Sequence, residues 1–253
     1  MYNIYKMNKK IKKNNKRILA IIPARAGSKR IPNKNVRNFL GKPLIAYTIK
    51  QALSCSFIER VIVDTDSSKI AKVSLRCGAE VPFLRPAYLA RDGVLIIDSI
   101  LHILKKLKKA ENYVPEYVMI LQTTSPLREK KDIEDCWKMM QLGKATTILT
   151  VCPTHPRLYH LSHNNDLILV NGLESQSTNI QDWEPGYILN GCFVYIIKMS
   201  ALLAEKRIIT RKTKAIVCPK WRSIDLDTPE EWVMAEILYK NSKAIVARIK
   251  KFK

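Results

Sequence analysis

Ile18-Leu19-Ala20-Ile21-Ile22-Pro23-Ala24-Arg25-Ala26-Gly27-Ser28-Lys29-Arg30-Ile31-Pro32-Asn33-Lys34-Asn35 opens with an uncharged apolar run and closes with a strongly cationic loop. A short, continuous apolar run is the pattern of a strand buried on both faces, as in a parallel sheet covered by helices. Such sheets bind ligands beyond the carboxyl ends of their strands, which is where this loop lies. The loop offers two arginines and two lysines within residues 25–35. Gly27 allows backbone amides to approach a ligand closely. Arg25 can grip phosphate oxygens through its planar fork, and Lys29 and Lys34 add point charges. The GxxxxGK[ST] pattern is absent, so the loop reads as an anion cradle of another kind.

Working outward, strands and helices alternate. Pro43–Ser54 has helical character, Val61–Asp66 reads as a second strand, and Ser67 begins a helix through Arg76 that Gly78 stops. Val81–Leu84 is read as a third strand. Residues 94–109 put Val94, Ile97, Ile100, Leu101, Leu104 and Leu107 on one helical stripe. Tyr117–Gln122 is the fourth strand, and a helix follows near 130–141. This alternation predicts a three-layer α/β/α fold around a mostly parallel, Rossmann-like sheet, with the loops after the first, second and fourth strands on one rim. Residues of about 145–190 break the pattern with short β-like runs (ATTILTV, DLILV) and polar loops, as in a β-rich insert packed on the sheet or reaching a partner subunit. Strand character returns at 191–198 and 215–218. Thr228, Pro229, Glu230 and Glu231 then supply a cap, a preset φ and acids for the start of a last helix. The expected organisation is a basic tail (1–17), a single domain (18–240) and a second basic tail (241–253).

A chain of 253 residues is long enough to bury a sizeable core. The formal charge of +22 suggests a nucleic-acid binder at first sight. Residues 1–17 and 240–253, however, hold thirteen of those excess charges, leaving a core charge that suits a small polyanion. No run approaches the roughly 18 apolar residues of a membrane span, and no signal-peptide cleavage site follows Ile18–Ala24, so a cytoplasmic protein is expected. The six cysteines form no CxxC pair and read as small buried hydrophobes. Cys152, His155, His160 and His163 have a spacing that fits no common zinc finger.

Asp225-x-Asp227 can aim two carboxylates to one side of an extended segment, and magnesium takes oxygen ligands shared with substrate phosphates. The alternative is that Asp227 caps the last helix. Asp64-x-Asp66 is a rival metal pair, but the position before residues 67–76 favours a helix-capping role.

Residues 22–35 also resemble the IPARxGSKxIxxKN opening of the cytidylyltransferases that activate N-acetylneuraminate and related nonulosonic acids. The resemblance runs on in order over residues 18–235. Val63-Asp64-Thr65-Asp66 is similar to V-S-T-D, residues 78–86 to GAEVPFLRP, residues 121–128 to LQPTSPLR, Asn190-Gly191 to NG and residues 223–230 to DIDTPED. It implies a homodimeric enzyme that joins CTP to a sialic-acid-like sugar and releases pyrophosphate. Arg25, Ser28, Lys29, Lys34, Asn35 and Arg85 would bind the nucleotide, with Lys34 near the reacting α-phosphate. Gln122, Asn190, Arg157 and Tyr195 would contact the sugar, and Asp225 and Asp227 would hold Mg²⁺; Lys34, Arg25 and Asp227 form the implied catalytic set.

The sequence departs from that family where Gly93-Val94-Leu95-Ile96 replace small hydroxyl residues and where Asn179-Ile180 replace an arginine pair. Cys192 to Tyr195 carry one residue more than NGAIYI. These departures cluster in the sugar half, which predicts retained CTP use with an acceptor other than plain N-acetylneuraminate. Transfer to a 3-deoxy-manno-octulosonate-type acid and nucleic-acid binding are the competing functions.

Overall fold

The computed structural model describes residues 17–170, 184–191 and 193–252. The basic N-terminal tail before Arg17, the Asn179–Gln181 departure and Cys192 lie outside them.

In chain order the elements are β1 (Ile18–Pro23), β2 (Asn38–Phe39), β3 (Lys42–Pro43), α1 (Leu44–Leu53), β4 (Arg60–Asp64), α2 (Ser68–Arg76), α3 (Ile96–Glu111), β5 (Tyr117–Ile120) and α4 (Lys130–Gln141). There follow β6 (Thr147–Thr154), β7 (Tyr159–Leu161), β8 (Leu167–Leu169), β9 (Gly186–Leu189), β10 (Tyr195–Lys198), α5 (Met199–Glu205), β11 (Thr213–Val217), α6 (Pro229–Lys240) and α7 (Ser242–Ile249). The main sheet has the order β11-β6-β10-β5-β1-β4. β1 lies between parallel β4 and β5, while β10 runs antiparallel to both β5 and β6, and β11 is parallel to β6.

β1 shows why three layers form. Ile18, Ala20 and Ile22 pack with Ile45 and Ile49 of α1 and Ile133 and Trp137 of α4. The alternate residues Leu19 and Ile21 pack with Ile100, Leu104 and Leu107 of α3. Burying each Ile or Leu stabilises by about 1.5–3 kcal/mol, which exceeds the roughly 1–2 kcal/mol needed to order its backbone. A strand apolar at every position is thus stable only with helices on both faces. A smaller third cluster seats α6 on the β2–β3 hairpin through Phe39, Leu226 and Trp232.

Four sequence expectations change. The helix that starts after Thr228 is not the last, because Ser242–Ile249 of the expected 241–253 tail forms α7. Val81–Leu84 is not a strand: only Glu80 bridges to the edge of β4, and Pro82, which has no N–H to donate, follows two residues later. The Asp64/Asp66 pair does not cap α2; Ser67 does, its Oγ accepting from Ile70 N at 3.3 Å. The run ATTILTV is not part of an insert, because β6 sits inside the main sheet between β10 and β11. The departure begins after Thr154, with the β7–β8 hairpin and with β9 paired to the far half of β6. Leu161, Leu167, Ile168, Tyr187 and Leu189 are exposed there.

Candidate active site

The loops after β1, β4 and β5 meet on one rim of the sheet, as expected, and segment 223–228 completes it. Between them lies a cleft of about 530 Å³. Its wall includes Arg25, Ser28, Lys29, Lys34 and Asn35 from the first loop, Arg85 from the segment that pairs with the end of β4, Gln122 from the end of β5, and Asp225 and Asp227. The basic loop and the acidic pair therefore share one cleft.

The cradle is held by its own sequence. Ala24 N donates to Asp64 O and Ala26 N to Asp66 Oδ1, both at 2.8 Å, so the Asp64/Asp66 segment braces the turn. Asn35 is buried; its Nδ2 donates to Arg25 O at 3.0 Å and its Oδ1 accepts from Thr123 Oγ1 at 2.6 Å. Asn35 thus ties the loop to the end of β5.

Lys34 joins the two halves of the site. Its Nζ donates to Leu226 O at 2.6 Å and lies 3.3 Å from Asp227 Oδ1, while Arg30 Nη2 reaches Asp227 Oδ2 at 3.1 Å. Thr228 caps α6 in a capping box with Glu231, so the Asp227 carboxylate is left to face the cations. Asp225 lies deeper, and its Oδ1 is buried with no hydrogen-bond partner among the described residues. Burial pushes its carboxyl above the ordinary value, and the negative charge of Asp227 adds to this, against a Thr124 hydrogen bond and Lys34 that lower it. Gly191, at φ 67°, lets the chain pass close: a Cβ there would sit 2.8 Å from Asp225 Oδ2. An orphaned anionic oxygen beside a second carboxylate at the mouth of a cationic cradle fits a divalent cation that shares ligands with phosphate.

Arg85 is fixed by a buried ion pair. Its guanidinium meets the Asp64 carboxylate, which also accepts from Ser99 Oγ, and Arg85 Nη2 donates to Asp64 O at 3.0 Å. Asp64 is therefore a buried counter-ion rather than a metal ligand.

Three expected sugar contacts are not part of the cleft wall. Tyr195 is a core residue, buried in β10 with Ile120 and Leu149, because the central position of β10 turns it inward. Asn190 is buried; it accepts from Thr150 Oγ1 at 2.9 Å and donates to Ser223 Oγ at 3.1 Å, so it steadies the segment that carries the acids. Arg157 sits on the loop before β7, its backbone N donating to His155 Nδ1 at 3.1 Å. Cys152 is buried in β6, and among the described residues no three His, Cys, Asp or Glu side chains form a metal set.

For several side chains that hold the site together the motifs alone give no role. Arg30 and Asp92 pair with expected site residues. Arg128 is buried and donates to Gln122 O at 3.2 Å and Phe193 O at 2.6 Å, holding the backbone at Gln122. Arg222 forms a buried two-point bridge to Asp132 at 2.6 and 2.8 Å, anchoring the acidic segment to the start of α4. Only the long-range fold pairs these residues; LQTTSPLR was visible as a block, but not that its arginine points inward.

Fold and site together define a class: an α/β protein whose strand-end cleft sets a cationic loop against a pair of carboxylates. Comparison with known proteins narrows this. Residues 19–165 match the family model described as cytidylyltransferase. The chain is 35% identical to the CMP-N,N'-diacetyllegionaminic acid synthase of Legionella pneumophila, over 91% of this chain and 100% of that one. It is 32% identical to a pseudaminic acid cytidylyltransferase of Campylobacter jejuni, over 88% of this chain and 96% of that one. In fold it resembles CMP:2-keto-3-deoxy-manno-octonic acid synthetase solved with CTP, with a TM-score of 0.65 at 16% identity, over 89% of this chain and 99% of that one. The chain belongs to the cytidylyltransferase family.

Proposed function

We propose that this cytidylyltransferase joins CTP to a nonulosonic acid and releases pyrophosphate, with an acceptor of the legionaminic or pseudaminic kind rather than plain N-acetylneuraminate. The carrying observation is the convergence of Arg25, Lys29, Arg30 and Lys34 with Asp225 and Asp227 in one cleft. Relatives that the chain spans over nearly their whole length include ones named for legionaminic and pseudaminic acids. The cleft wall also carries apolar Val94 and Leu95 where the resemblance led us to expect hydroxyl residues.

In this reading Arg25, Ser28 and Lys29 bind the outer phosphates, and Lys34 neutralises charge that grows on the α-phosphate as the sugar hydroxyl attacks it. Arg85 holds the nucleotide and Gln122 the acceptor. Asp225 and Asp227 would hold Mg²⁺, which when bound adds charge neutralisation and alignment of the triphosphate. Among the described residues the cleft wall contains no histidine, and phosphoryl transfer depends mainly on positioning and charge. The exposed apolar side chains of the 155–189 region are assigned to the contact with a second copy in a homodimer. No helix among the described residues is long and apolar enough to cross a membrane.

The test is incubation with CTP, Mg²⁺ and a panel of legionaminic, pseudaminic, N-acetylneuraminic and 3-deoxy-manno-octulosonic acids, reading pyrophosphate. Release is expected with one of the first two. Equal or faster release with N-acetylneuraminate would overturn the acceptor assignment. No release with any acid, together with salt-sensitive RNA or DNA binding that vanishes when both tails are trimmed, would overturn the enzyme reading.

Asp225 makes a second prediction. Its carboxyl is raised on folding, so the folded chain holds that proton more tightly than the unfolded chain. The contribution to stability falls as pH rises from the ordinary carboxylate value through the raised one. Asp225→Asn should therefore melt at a higher temperature than wild type at neutral pH without divalent cation. It should also lose the further rise that CTP with Mg²⁺ gives the wild type. A variant that melts lower, or that keeps the full rise, would refute the assignment.

A further inference from the structure

Two carboxylates serve the four cations of the cradle. Asp227 takes Arg30 and Lys34 and lines the cleft together with Asp225. Asp92 takes the other two: its Oδ1 accepts from Arg25 Nη1 at 2.8 Å, and its Oδ2 lies 2.6 Å from Lys29 Nζ. Both of its oxygens are thus engaged by groups whose chemistry suits phosphate, and these cations hold the Asp92 carboxyl below its ordinary value. Asp92 comes from the opposite lip, residues 90–95, where Ala90 O also accepts from Arg25 Nη1 at 3.4 Å. Next to it, Gly93 adopts φ 82°, a left-handed conformation that suits glycine and turns the lip toward the cradle.

We propose that Asp92 is a positioning residue that stands in for phosphate. It aligns Arg25 and Lys29 in the empty cleft and is displaced from them by the triphosphate, so it sets how tightly CTP and the departing pyrophosphate are held. The proposal rests on the CTP reading given above. The physical case is one of competition. A carboxylate brings one negative charge to two fixed cations, whereas a triphosphate brings several and has more oxygens to share. The pairs that Asp92 makes are largely exposed, so solvent and salt screen them and displacement is easy. Asp227, unlike Asp92, stands with Asp225 in the acidic pair that would hold the cation in the reading given above. A built-in competitor weakens binding of nucleotide and product together, which favours release of pyrophosphate after each turnover.

Asp92→Asn keeps the size of the side chain and removes its charge. Titration calorimetry of the full chain, with Mg²⁺ present, would measure CTP and inorganic pyrophosphate separately. Both dissociation constants should fall about three- to tenfold in the variant, the difference shrinking as salt is raised. In turnover the KM for CTP should fall, pyrophosphate should inhibit more strongly, and Asp92→Glu should return both toward wild type. Binding that is unchanged or weaker in Asp92→Asn, while the wild type binds CTP normally, would overturn this proposal alone. A wild type that binds neither ligand would overturn the CTP reading, and this proposal with it.

Discussion

Lys34→Ala should lower kcat by about two to three orders of magnitude while leaving the chain folded. A preorganised cation or donor aimed at developing charge contributes roughly 2.7–4 kcal/mol to the barrier, a scale set by the removal of single oxyanion donors. Lys34 meets the geometric requirement: its side chain is 14% exposed, and its Nζ is fixed between Leu226 O and Asp227, facing the cleft. The structural contribution is smaller. The Asp227 carboxylate is 41% exposed, and an ion pair with such access to water stabilises by about 1 kcal/mol or less. The two effects can therefore be read separately, kcat from steady-state rates and folding from a thermal melt. A folded Lys34→Ala protein with near wild-type kcat would remove Lys34 from the chemistry.

The largest effect on stability is expected at Arg222→Met. Arg222 and Asp132 have side chains only 9% and 8% exposed, and they meet through two short hydrogen bonds. Arg222 Nη1 also donates to Leu127 O at 3.3 Å. Removing Arg222 strips the buried Asp132 carboxylate of its counter-charge and leaves it the Glu129 N–H at 2.7 Å, and breaking a buried pair in this way costs about 3–5 kcal/mol. For a domain of this size that lowers the melting midpoint by about 6–20 °C. Part of the loss should appear as activity, because the same bridge ties segment 223–228 to α4 and so places Asp225 and Asp227. A midpoint within a degree or two of wild type would show that the bridge contributes no net stability.

Much of this was legible in the sequence, and the remainder was not for definite physical reasons. β1, α4 and α6 appear where apolar runs, periodicity and capping residues put them, since each depends on local chemistry. The cradle could be read because it is contiguous, and the acidic pair because its two members lie two residues apart. Tyr195 could not be placed, because whether a strand residue faces ligand or core depends on the strand's neighbours, and β10 lies between β5 and β6. The run ending in β6 looked like an insert because nothing local marks a strand as central. Asp64 looked like a cap or a metal ligand because Arg85, its buried partner, lies 21 residues away.

The bond from Lys34 to Leu226 spans 192 residues, and that from Arg30 to Asp227 spans 197. During synthesis on the ribosome the cationic half of the cleft therefore emerges 192 to 197 residues ahead of its acidic half. Closing so distant a pair is slow compared with forming a helix or a hairpin. A translation product that stops short of Asp225 holds the basic loop without the carboxylates that Lys34 and Arg30 meet in the folded chain, so the cleft can be assembled only after both segments are made.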